Sequence, residues 1–174
     1  MIDGRTYHPM RSLLAVLILA HVMTGCRVNY SFTGGDVGSA RTVSVELFGT
    51  GSALATPQSA QVFTETLRDL LLAQTPLKLA QSDGDVQYSG SITGYEVQPV
   101  SIQANETAAL NRLSLTVRVT YVNTLEPAKN TESTFTRFAD YESGQDLVTV
   151  EERLVEQISD QLAQDIFDRT LGNW

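Results

Sequence analysis

The chain has 174 residues, 42% hydrophobic, with 12 Lys and Arg against 20 Asp and Glu for a formal net charge of −8. This length suits one domain with one core, and the apolar fraction is too high for intrinsic disorder and too low for a multispanning membrane protein. The lone Cys excludes an internal disulfide and a Cys-based zinc site, and the acidic balance argues against nucleic-acid binding, which needs clustered Lys and Arg.

The first 25 residues read as a secretory signal. Arg5 and Arg11 supply a basic start, Leu13 to Ala20 an apolar run, and small residues follow. The run is about half the ~20 residues that a membrane-spanning helix needs. Met10-Arg11 alone also makes a compact basic start, so either Met1 or Met10 serves as the first residue. Met23-Thr24-Gly25-Cys26 resembles the bacterial lipobox, with Met23 where Leu is usual. Cleavage before Cys26 and acylation of its thiol place several fatty chains on one residue. Each buried methylene contributes ~0.8 kcal/mol, so more than one chain makes a durable anchor.

Processing changes the inventory. Asp3, Arg5 and Arg11 leave with residues 1–25, so residues 26–174 number 149, with 10 basic and 19 acidic side chains and a net charge of −9. Both His, His8 and His21, also leave. No Ser-His-Asp or Cys-His catalysis and no His-ligated metal or haem is available to the remainder. No cofactor or metal site is expected.

Residues 26–40 are expected to form the acylated Cys and a Gly-rich tether, and 41–174 a folded domain. Thr42 to Phe48 alternates as a strand and Gly49 to Ser52 ends it. Thr56 as N-cap with Pro57 in the first turn opens a helix. Its apolar face is Val62, Phe63, Leu67, Leu70 and Leu71, and it stops at Thr75-Pro76. Leu77 to Leu79 suits a short strand, and Asp83-Gly84 a turn. Two alternating strands follow, one carrying Val86, Tyr88 and Ile92 with a bulge or bend at Gly94, the other running from Leu113 to Tyr121. A less regular strand is expected from Thr131 to about Asp140. A second helix is expected from near Val150 to Leu171, with Thr149 and Glu152 as a capping box and Leu147, Val150, Leu154, Ile158, Leu162 and Ile166 as its stripe. The order β-α-β-β-β-α predicts an α+β two-layer sandwich: about four strands, two helices on one face, and an open face of Ser, Thr, Gln and Arg.

No phosphate-binding loop, dinucleotide fingerprint or zinc motif is present. The acids of the second helix, Glu151 to Asp168, read as a solvated face, and Asp140, Glu142 and Asp146 as ordinary turn chemistry rather than a cation site. Arg112 and Arg118 are six residues apart, so they share the strand face opposite Leu113, Leu115 and Val117. Arg137 on the next strand is expected to join them. Three arginines on one face suit bidentate contacts with phosphate or carboxylate, or cross-strand pairing with acids such as Glu96 or Glu132.

Five stretches carry a family resemblance: Cys26 to Phe32, Ile92 to Tyr95, Asn105 to Leu113, Arg137 to Tyr141, and Asn173-Trp174. In this order, over the whole of 26–174, the chain resembles the LptE family of lipopolysaccharide-assembly lipoproteins, in its branch outside the proteobacteria. The resemblance implies a lipoprotein in the inner leaflet of the outer membrane that faces the periplasm. It implies a plug inside the β-barrel LptD that helps that barrel fold, binds lipopolysaccharide and catalyses nothing. Lipopolysaccharide is itself anionic, so a chain at −9 needs a local basic patch to hold it. Arg112, Arg118 and Arg137 are the candidates. An accessory lipoprotein of another outer-membrane transporter or secretion pore is the main rival reading, and a lipid-anchored hydrolase using paired carboxylates a second.

Overall fold

The computed structural model describes residues 34–100 and 109–172; the expected signal at 1–25, Cys26 to Phe32, the first part of the Asn105 to Leu113 stretch and Asn173-Trp174 lie outside them. Its elements are β1 (Thr42–Val45), β2 (Gly49–Thr50), α1 (Pro57–Gln74), β3 (Lys78–Leu79), β4 (Val86–Val100), β5 (Leu110–Asn123), a 3-10 turn (Pro127–Lys129), β6 (Thr131–Glu142) and α2 (Leu147–Leu171). They build the expected α+β two-layer sandwich. The six strands run β3-β1-β4-β5-β6, with β2 also beside β4. β1 is parallel to β3 and β4, and β4, β5 and β6 are antiparallel neighbours.

Each element follows from local chemistry. Thr56 caps α1 by accepting the Ser59 N–H at 3.1 Å, and Pro57 occupies the first turn. The Thr75 hydroxyl donates to the Leu71 carbonyl, and extended backbone at Thr75 ends the helix. β5 alternates without fault: Leu113, Leu115, Val117, Val119 and Tyr121 are buried, and the even-numbered residues between them face the open side. β4 buries Val86, Tyr88 and Ile92, then shifts register between Ile92 and Gly94. That extra residue changes the inward parity from even to odd and brings Tyr95 into the core.

Several boundaries depart from the sequence reading: β1 ends at Val45 rather than Phe48, and β5 extends past Leu113 and Tyr121 to Leu110 and Asn123. Gly49–Thr50 is a short strand, paired with Ser91 and Ile92, rather than simply the end of the preceding one. α2 begins at Leu147, three residues before the expected start. The Asp146 carboxylate accepts the Val148 N–H and serves as N-cap, so Thr149 is helical and forms no capping box.

One core lies between the layers. α1 supplies Phe63, Leu67 and Leu71, and α2 supplies Leu154, Ile158, Leu162 and Ile166, all fully buried. Burying each such side chain contributes ~1.5–3 kcal/mol. Phe48, just past β1, meets Phe63 edge to face with ring centroids 4.9 Å apart. Gly90 makes room for it: a Cβ there would overlap the Arg118 carbonyl and press on the Phe48 ring. Tyr88 packs on Tyr121 at 5.1 Å, and its hydroxyl bonds Thr170 of α2 at 2.8 Å.

The last residues of the Gly-rich stretch are held by the domain. The Asp36 N–H donates to the Leu171 carbonyl at 2.7 Å, Val37 packs on the core and Ala40 is buried. Gly35 lies so close to Phe167 and Leu171 that a Cβ would collide with both. This end of the domain holds the finish of α2 and the start of β1. The end of β4 and the start of β5 lie at the other end of the sheet, where α2 begins.

Candidate functional site: the open face of the sheet

The helix-free face is read row by row across β4, β5 and β6. Its rows are Val100, Leu110 and Glu142; Gln98, Arg112 and Asp140; Glu96, Ser114 and Phe138; Gly94, Thr116 and Thr136; Ser91, Arg118 and Thr134; Ser89, Thr120 and Glu132; and Gln87 with Val122. Hydroxyls dominate the middle, with Thr116 and Thr136 bonded to each other at 2.9 Å. Phe138, 45% exposed, is the aromatic residue of these rows, and Val100, Leu110 and Val122 add aliphatic side chains at the two ends of the face.

Arg112 and Arg118 share this face, as their spacing requires. Arg112 grips Asp140 with two bonds, Nε to Oδ1 at 2.7 Å and a terminal nitrogen to Oδ2 at 2.8 Å. Its guanidinium carbon stands 3.6 Å from the centre of the Phe138 ring. The bond to Asp140 raises the Arg112 pKa above its ordinary value, and the bond from Arg112 holds the Asp140 carboxyl below its own. Arg118 is held far more loosely, 3.7 Å from Glu132 with both side chains about 60% exposed. Cross-strand pairing therefore occurs at both positions, to Asp140 and Glu132. Glu96 instead accepts from Gln98 at 3.1 Å.

Arg137 does not join them. The ladder sets it opposite Leu115, a core residue, so it points to the helix side. There it bonds Asp165 of α2 twice, at 2.6 and 2.7 Å, which raises its pKa. Phe135 and Phe138 lie on opposite faces of β6, which hid this parity from a reading by hydrophobic pattern. The basic group on the open face is Arg112 and Arg118, and only Arg118 has a lightly engaged guanidinium.

Four of the acids singled out in the sequence have structural duties. Glu151 accepts the Tyr95 hydroxyl at 2.6 Å, Asp165 holds Arg137, Asp140 holds Arg112, and Asp146 caps α2. Burial pushes the Tyr95 hydroxyl well above the usual phenol range, and the bond to Glu151 adds to it. Glu151 and Glu152 border a groove of about 370 Å³ between the starts of the two helices, walled by Thr56, Val62, Val148 and Val155. Among the described residues no group of three or more His, Cys, Asp and Glu is placed to hold a metal ion, and no helix is long and apolar enough to cross a membrane.

The sequence pattern missed Asp85. Its carboxylate accepts the Arg41 N–H at 2.8 Å, the Thr42 N–H at 3.0 Å and the Thr42 hydroxyl at 3.0 Å. Its own N–H returns to the Thr42 hydroxyl oxygen at 2.9 Å, stitching the starts of β1 and β4 together. These donors lower its pKa, the Arg41 N–H foremost.

The comparisons with known proteins can be set against this geometry. A search of curated protein sequences gives no match. Among solved structures, a neuraminyllactose-binding hemagglutinin homolog from Helicobacter pylori aligns at TM-score 0.49 and 11% identity, over 80% of this chain and 88% of that one. A minor lipoprotein from Acinetobacter baumannii aligns at 0.43 and 20%, over 75% and 91%. The rare lipoprotein B from Shewanella oneidensis aligns at 0.43 and 16%, over 72% and 90%. Likenesses this distant carry no functional weight. The family model for LptE, lipopolysaccharide assembly, matches residues 40–170, nearly the whole described domain. The chain therefore belongs to the LptE family, as a distant member.

Proposed function

We propose that the protein is an outer-membrane lipoprotein, acylated at Cys26 and facing the periplasm, that plugs an LptD-like barrel and helps it assemble for lipopolysaccharide insertion. The family match over residues 40–170 carries this reading. The open face supports it. Its hydroxyl rows and paired charges suit the polar lumen of a large barrel, whereas an apolar face would require a lipid or protein cover. Chain reach supports it too. Seven residues lie between Cys26 and Gly34, so the eight Cα-to-Cα steps span at most about 28 Å of extended chain. A lipid on Cys26 would thus hold Gly34, beside the α2 finish, within that reach of the membrane.

Direct lipopolysaccharide contact falls first to Arg118. Its guanidinium is the exposed and loosely paired one, so a phosphate displaces Glu132 at little cost. A phosphate at Arg112 has to break a bidentate pair. Affinity purification from detergent extracts of the native organism tests the main reading. Recovery of an LptD-like barrel supports it, and recovery of a different transporter or secretion pore in its place overturns it.

A further inference from the structure

The sheet has two unequal margins. One ends in β3, two residues long; the other is β6, twelve residues long and regular throughout its pairing with β5. The register shows which β6 groups are spare. The Ser143 N–H donates to the Ala109 carbonyl, so the odd-numbered residues of β6 bond β5. The N–H and C=O of Glu132, Thr134, Thr136, Phe138 and Asp140 then point outward. Among the described residues nothing bonds them.

Natural edges of this length are usually blunted by Pro, Lys, a bulge or an inward charge. β6 has no Pro, Lys or bulge, and its sequence TESTFTRFADYE is rich in strand formers. Its inward-side charge, Arg137, is neutralised by Asp165. The edge is therefore left open to pairing.

We propose that the outer edge of β6 accepts an extended strand of a partner polypeptide, β-branched and hydroxylic at its centre and basic towards both ends. This contact goes beyond the role of the polar face and uses backbone groups that the face does not. Charge selects the occupant. Asp140 is neutralised by Arg112, but Glu132 is held only at 3.7 Å and Glu142 makes no ion pair among the described residues. These two acids stand ten residues apart, about 34 Å along the edge. Between them lie Thr134, Thr136 and Phe138, which favour β-branched neighbours. A second copy fits poorly. Antiparallel pairing about Thr136 sets Glu132 against the second copy's Asp140 and joins two chains that are both strongly acidic.

The test uses the full acylated protein in detergent and one probe, the fluorescein-labelled peptide Lys-Thr-Val-Thr-Val-Thr-Val-Thr-Val-Thr-Lys-amide. Anisotropy is expected to show saturable binding, with slowed hydrogen exchange at Thr134, Thr136 and Phe138. Thr136→Pro removes an outward N–H that β5 does not use, and Pro is tolerated at such edge positions; it is expected to weaken binding at least tenfold with the circular dichroism unchanged. Glu132→Lys with Glu142→Lys leaves the backbone intact, so it decides the matter if the Pro variant misfolds. It is expected to weaken this peptide tenfold and favour one with Glu at both ends. No binding by the wild-type protein, equal binding by all variants, or a concentration-dependent dimer abolished by Thr136→Pro each overturns the proposal.

Discussion

The packing of Phe48 against Phe63 allows a quantitative prediction. Both rings are buried, Phe63 completely, and they meet at 4.9 Å with planes 82° apart. The same corner holds a buried hydrogen bond from the Phe48 N–H to the Thr64 hydroxyl at 3.1 Å, and that hydroxyl donates to the Ala60 carbonyl. Phe63→Ala removes the ring and leaves a cavity beside Phe48, in a core where both side chains are buried. The expected loss is about 3–5 kcal/mol, a large part of the 5–15 kcal/mol typical of a domain. At roughly 4 °C per kcal/mol for this size, the melting temperature falls by about 12–20 °C. Phe63→Leu keeps most of the volume and is expected to lose only about 1–1.5 kcal/mol. Thr64→Val leaves the Phe48 N–H without an acceptor and costs about 1–3 kcal/mol. The two sites share Phe48, so the double variant is expected to depart from additivity by at least about 0.5 kcal/mol. Urea unfolding with matched slopes measures all four quantities. A loss below about 1.5 kcal/mol for Phe63→Ala, or strict additivity, refutes the idea that Phe48 is locked onto α1 by its ring contact and its hydrogen bond together.

Other outcomes follow from the open face and the sheet margin. Arg118→Glu is expected to reduce lipopolysaccharide binding at least fivefold with unchanged stability, whereas Arg112→Ala reduces it less; the reverse order in a binding titration sinks the assignment to Arg118. Arg137→Ala is expected to leave lipopolysaccharide binding unchanged, because the side chain lies on the helix side against Asp165. The folded-state pKa of Asp85 lies below its ordinary 3.8. Its contribution is therefore complete above that value and is lost as pH falls through the folded-state one. Asp85→Asn is expected to lower stability at neutral pH and to shrink the acid-induced loss below about pH 4, as read from urea midpoints across pH 2–7; an unchanged acid limb counts against the β1–β4 stitch. Cys26→Ser is expected to release the protein from the outer-membrane fraction, and retention there in a flotation gradient would argue against acylation at this residue.

Much of this molecule was legible because its strongest signals are local. Thr56-Pro57 marks a helix start by cap chemistry and fixed φ, and the structure places α1 there. The even spacing of Arg112 and Arg118 fixes a shared face once β5 is a strand. Gly94 signalled the irregularity that turns Tyr95 inward. What was not legible depends on partners far away in sequence. Two residues of backbone pairing make β2, and backbone pairing leaves no side-chain pattern to read. Asp146 and Thr149 both have cap chemistry; the Asp146 carboxylate caps α2, and helix continues through Thr149. The face of Arg137 is set by its register with Leu115, and its neutralisation by an acid 28 residues away. The same limit applies to the basic patch: spacing showed that two arginines share a face, but only the fold shows that one is already committed to Asp140.

The clasp between Asp36 and the last carbonyl of α2 also has a mechanical consequence. Any pull that enters the domain through the segment before Gly34 reaches this bond, and the contact of Gly35 with Phe167 and Leu171, before it reaches β1. Tension is thus first shared with the final turn of a 25-residue helix rather than borne by the four residues of β1. The clasp works as a strain relief: a pull from the N-terminal side is taken up before the sheet can be peeled from its end.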